Sequence, residues 1–171
     1  VSVKANVNAT ITAAADINES VIFADNGAAI VSAGGDIISS SVTAGTDASL
    51  TADTQIAGNI ITAGGTATLA GASPVDLINN QVSAATISAI TGIGDILGGS
   101  YVSSADTTLD AAGTIAGIGV QTGTDASLTA ADNISGINVN AAGAVDITAT
   151  DGSIQGSSAF AGGAMDLFAG N

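Results

Sequence analysis

The chain has no cysteine, histidine, arginine or tryptophan, and only one lysine and one proline. Each absence removes a class of function. Without cysteine, neither disulfides nor thiolate metal centres can hold the fold. Lys4 stands alone against 15 acidic residues, for a formal charge of −14. Binding nucleic acid means neutralising phosphates with a basic footprint, so nucleic acid is excluded as a partner. Anionic membranes and sulfated glycans are disfavoured by the same charge. No apolar run approaches the roughly 18 residues of a membrane-spanning helix, so direct membrane insertion is not expected. With three Phe and one Tyr, the chain also lacks the bulky rings that usually fill the centre of a compact globule.

What the chain does have is repetition. The octapeptide GTDASLTA occurs at 45–52 and again at 123–130. Following the apolar residue three places before each copy gives a series through the whole chain: Val3, Ile22, Val42, Ile61, Val82, Tyr101, Val120, Val139 and Ala159. A second series lies eight residues after the first: Ile11, Ile30, Leu50, Leu69, Ile90, Leu109, Leu128, Ile147 and Leu167. A third is Ile17, Ile37, Ile56, Leu77, Ile96, Ile115, Ile134 and Ile154, each five residues before the next member of the first. The unit is therefore about 19 residues, divided 8, 6 and 5, with extra residues expected only between the second and third series. The longest insertion, around AGASPVD (70–76), holds Pro74 and is expected to be a turn, since proline cannot donate to a ladder.

Within a unit, segments such as ATITA (9–13), ASLTA (48–52) and VDITA (145–149) alternate small or apolar residues with Thr, Ser or Asp, the period of a half-buried strand. Gly-rich breaks such as AGG, AGT and DNG fit tight turns. One such unit cannot bury its own apolar face and must stack on copies of itself. The expected fold is all-β: a right-handed parallel β-helix of about nine coils, with the three series as stacked internal ladders. Residues 1–171 form one repeat segment, expected to be uncapped and excised from a longer shaft.

The unit length and the phrases VSAGGDI (31–37), VTAGTDASLTA (42–52) and ITAGGTATLAG (61–71) resemble filamentous-haemagglutinin-type adhesins. That family is exported by two-partner secretion in Gram-negative bacteria and carries right-handed β-helical shafts; autotransporter passenger domains share the texture. The resemblance covers essentially the whole chain. It implies the structural shaft of a secreted, cell-surface or biofilm-matrix adhesin, with exopolysaccharide or a host receptor engaged by regions outside these residues. The family's secretion domain with its Asn-Pro motifs is not in this sequence. The Arg-Gly-Asp tripeptide and basic heparin-binding surface of some members cannot be carried over.

The residues bear on other functions as well. Polysaccharide lyases built on β-helices need Lys or Arg beside Ca²⁺, and glycosidases need a pair of carboxylates in a cleft. Here Asp47, Asp106 and Asp125 share one repeat offset, and Asp16, Asp36, Asp76 and Asp95 each precede a third-series residue. Carboxylates that recur with the repeat read as turn formers, so no catalytic or cofactor-binding residue is expected and the chain reads as a non-enzyme. Stacking would bring Asp76 near Asp95 and Asp106 near Asp125, oxygen ligands of the kind Ca²⁺ selects. The competing reading is a solvated acidic edge that keeps rods soluble and apart. Ice binding would need an unbroken Thr ladder; Thr10/Thr12, Ser49/Thr51 and Ser127/Thr129 are interrupted by Val31, Asp110, Asp146, Asp166 and Phe168. A neutral-glycan module would want aromatic platforms, and Phe23, Tyr101, Phe160 and Phe168 are scattered.

Overall fold

The computed structural model describes residues 1–170, apart from the side chain of Ile90. Every strand pairing in it is parallel, and each strand pairs with the equivalent strand about one repeat on. The chain is a β-solenoid with three faces and no helix among the described residues.

The first face is a nine-stranded sheet: Ser2–Ala5, Val21–Ala24, Ser41–Ala44, Ile60–Ala63, Gln81–Ala84, Ser100–Ser103, Gly119–Thr122, Asn138–Ala141 and Ser158–Ala161. The second face runs from Ala9–Ala13 through Ala48–Ala52 and Ala126–Ala130 to Met165–Ala169. The third is narrow, with strands such as Ile17–Asn18, Ile37–Ile38 and Ile134–Ser135. Alternation sends every second residue inward, and the inward set is mostly Ile, Leu, Val and Ala, with Tyr101 among them, forming one continuous core.

The first and third series stack as the spacing predicts. Val3 pairs with Ile22, Ile22 with Val42, Val82 with Tyr101 and Val139 with Ala159. Ile17 pairs with Ile37, Leu77 with Ile96 and Ile134 with Ile154. The second series holds at most coils but needs two corrections. Val31, not Ile30, pairs with Ile11 and Leu50; Val31 is 1% exposed and Ile30 46%. The cause is the DNG corner: Ala24 to Ala29 spans one residue more than Ala5 to Ala9, so insertions also occur between the first two series. Val31 therefore does not interrupt the outer Thr and Ser positions; Ile30 does.

At the fifth coil the same corner is one residue shorter, from Ala84 to Ile87. Ala89 is the residue that pairs with Leu109, and the side chain of Ile90 lies outside the described residues. Volume is conserved there by an exchange. Ile87 is fully buried in a position where the neighbouring coils carry Ala67 and Thr107, and Ala89 stands where they carry Leu69 and Leu109. Such swaps keep a core at native density.

Pro74 is not in a turn. It lies within the long strand Thr66–Ile78, which pairs with Thr86–Leu97 in a register that shifts between Ala70 and Val75. Residues 72–74 have no partner across that shift, so the missing N–H removes no ladder bond. The bulge turns Val75 and Ile93 inward as extra core residues.

Candidate functional site

Polar side chains cluster at the corners of the solenoid, and the corners show what they do. Between the third and first faces, every turn carries a residue with positive φ: Glu19, Ser39, Gly58, Asn79, Gly98 (with Gly99 beside it), Gly117, Gly136 and Gly156. A left-handed residue reverses the chain sharply enough to start the next strand, and Gly or Asn adopts it at least cost. The residue after it points inward.

In the first four coils that inward residue is polar: Ser20, Ser40, Asn59 and Asn80, all buried. They form a hydrogen-bonded column. The N–H of Ser20 donates to Ser40 Oγ (3.2 Å), that of Ser40 to Asn59 Oδ1 (2.8 Å) and that of Asn59 to Asn80 Oδ1 (3.1 Å). The amides of Asn59 and Asn80 donate in turn to the carbonyls of Ile37 (2.9 Å) and Ile56 (2.7 Å). Further along, Ile118 and Ile137 take over the position and extend the apolar core. Burying amides this deeply is tolerable because their donors and acceptors are matched.

Six of the corner Asp residues obey a second rule. Oδ1 of Asp95 accepts the N–H of Thr114 at 2.7 Å, one coil on. Oδ1 of Asp76 accepts the N–H of Asp95 at 3.0 Å, that of Asp125 the N–H of Ala144 at 2.7 Å, and that of Asp47 the N–H of Thr66 at 2.8 Å. Asp16 does the same for Asp36, and the neutral Asn8 and Asn133 do it for Ala28 and Ser153. Each is a staple between successive coils, supplying an acceptor where the turn leaves a backbone donor without one. The residue preceding the donor is Gly in seven of these cases (Gly27, Gly35, Gly65, Gly94, Gly113, Gly143 and Gly152), because a Cβ there would collide with the capping oxygen.

Asp106 breaks the glycine rule. Thr124 takes the glycine's place, and its Oγ1 joins the N–H of Asp125 in donating to Asp106 Oδ1. These two hydrogen bonds, that of the Thr124 hydroxyl foremost, hold the Asp106 carboxyl below the usual carboxylate range.

Of the residues singled out as possible Ca²⁺ ligands, Asp76 and Asp95 are stacked in consecutive coils, and so are Asp106 and Asp125. In each, one oxygen is engaged by backbone. Among the described residues, no three His, Cys, Asp or Glu side chains group so as to hold a metal ion. The concave features are shallow. A groove crosses the outer first face, lined by Ile60, Thr62, Gln81, Ser83, Ser100 and Val102. Another lies at the first coil, between Val1, Ile11, Ile17 and Ser20.

Among the described residues, Tyr101 is the one buried side chain whose polar atom lacks a partner. It is fully buried in the first ladder, and its hydroxyl has no hydrogen-bond partner. Burial raises its pKa far above the ordinary phenol value.

Fold and corners together define a class: a parallel β-solenoid whose recurring polar groups tie coil to coil. Comparison with known proteins finds no matching family, no matching curated protein and no matching solved structure.

Proposed function

We propose that this chain is a shaft segment of a bacterial surface or matrix adhesin, secreted and exposed outside the cell, where it spaces an adhesive region from its anchor. The observation that carries this reading is the use of the corner carboxylates. Six of them, on Asp16, Asp47, Asp76, Asp95, Asp106 and Asp125, accept a backbone N–H from the next coil. Groups that recur with the repeat and bind the backbone serve rigidity along an axis, which is what a spacer needs. Ladders of Ile, Leu and Val beneath the three faces add stiffness along the axis. The phrases VSAGGDI and ITAGGTATLAG support the adhesin reading through their likeness to haemagglutinin-type shafts. Catalysis is no part of the proposal.

The test is spacing itself. Inserting one, two or three tandem copies between a cell-surface anchor and a peptide tag should extend the tag from the membrane by about 40 Å per copy, nine strands at roughly 4.8 Å each. Fluorescence distance to a membrane dye reads the extension. A distance that does not grow with copy number would reject the shaft.

A further inference from the structure

The first face differs from the rest of the surface in one respect. Its outward positions form two columns across nine coils: Ser2, Val21, Ser41, Ile60, Gln81, Ser100, Gly119, Asn138 and Ser158, beside Lys4, Phe23, Thr43, Thr62, Ser83, Val102, Gln121, Asn140 and Phe160. None of the chain's 15 acidic residues is among them, and its one basic residue is. The second face projects Asp110, Asp146 and Asp166. The narrow third face is bordered by Asp16, Asp36, Asp76 and Asp95 on one side and Glu19 on the other. A chain of charge −14 thus carries a carboxylate-free strip along its whole length.

We propose that this strip is the surface through which two copies of the chain pair side by side, face to face. Charge selects the partner. Of the two broad faces, only this one brings two copies together without setting outward carboxylates of its strands opposite one another. Exposed aliphatic groups run along it: Val21, Ile60 and Val102 stand 53%, 53% and 40% exposed, and Phe160 lies at the far end. Aliphatic side chains separated by Ser, Thr, Gln and Asn suit a second protein surface. The two aromatic rings, at opposite ends of the strip, make no platform for a sugar, and the Phe23 ring is covered by Lys4 at 5.3 Å. The area is sufficient. Nine strands at about 4.8 Å and four residues at about 3.3 Å give roughly 500 Å² per rod, or roughly 1,000 Å² for the pair, the lower bound for a specific contact. The dimer is isologous, the same patch on both partners. It is also salt-dependent, since Asp25, Asp47, Asp106 and Asp125 follow the edge of the strip. This pairing does not depend on the adhesin reading.

Sedimentation velocity on the 171-residue chain tests the proposal, from roughly 1 µM to 1 mM protein. A monomer–dimer equilibrium should appear and tighten as salt screens the net charge. The isosteric pair Gln81→Glu and Asn140→Asp places charge on the strip without changing volume and should weaken dimerisation at least about tenfold. Ile30→Asp with Thr51→Asp adds the same charge to the second face and should change it by less than about twofold. Circular dichroism confirms that both variants fold. Three results would each overturn the proposal: a monomer at every concentration and salt, association indifferent to the strip charges, or a monomer retarded by neutral dextran in affinity electrophoresis.

Discussion

A Cβ on Gly113 would lie 2.1 Å from Oδ1 of Asp95, the same oxygen that accepts the N–H of Thr114 at 2.7 Å. The glycine and the carboxylate one coil earlier therefore form a single device. The other atoms near that Cβ site are Asp95 Cγ at 3.2 Å and the Gly94 carbonyl at 3.5 Å, so the clash belongs almost wholly to the Asp95 side chain.

A double-mutant cycle should expose that coupling. Asp95→Ala should cost about 0.5–1.5 kcal/mol, the net value of one hydrogen bond. Gly113→Ala should cost more, because it expels the carboxylate as well as crowding the turn. The double variant should be more stable than the sum of the two losses implies, by about 0.5–3 kcal/mol. Additive losses in urea titrations would show that the two residues act separately.

The ladders predict a sharp contrast between neighbours. Leu50 is buried between Val31 and Leu69. Leu50→Ala should destabilise by about 2–5 kcal/mol, whereas Thr51→Ala on the outer face should be near neutral. Val31→Ala should likewise cost far more than Ile30→Ala. Equal midpoints for the last pair would reject the register at the DNG corner.

That corner marks the limit of what the amino-acid pattern reveals. The first and third series are legible because Ile, Leu and Val recur there at constant spacing from each other. The second series fails where a turn gains a residue before Ala29 or loses one before Ile87, since each presents two adjacent apolar residues and a period-two strand accepts either. The staples were half legible: the Asp positions read as turn formers, but their backbone partners lie a full coil away. The buried column was not legible. Ser20, Ser40, Asn59 and Asn80 share no residue type with Ile118 and Ile137, and between Gly-rich turns they read as loop.

Tyr101 gives a prediction of opposite sign. A buried hydroxyl without a partner is a cost in the folded state, so Tyr101→Phe should raise stability by about 1–3 kcal/mol. A lower denaturation midpoint would mean that a buried water satisfies the hydroxyl.

Asp106 links stability to pH. Its folded pKa lies below the ordinary carboxylate value. The stabilisation is therefore present above that ordinary value, about 3.9, and is lost as pH falls through the lower folded one. Asp106→Asn keeps an acceptor for Thr124 and Asp125, as Asn8 and Asn133 do elsewhere. It should leave neutral-pH stability nearly unchanged and flatten the acid limb of the melting curve. Carboxylate chemical shifts followed by NMR should place the Asp106 midpoint below the ordinary aspartate value of about 3.9.

The stacking of whole coils has a mechanical consequence. One coil adds only about 4.8 Å to the length of the rod yet stores around 19 residues, some 60 Å of extended chain. Tension along the axis would load backbone hydrogen bonds in line with the pull, one coil at a time from either end. Each coil that peels away would lengthen the tether more than tenfold relative to the height it gave up, and would leave the remaining stack intact. Rigid at rest, the rod would yield under load in small, repeatable increments.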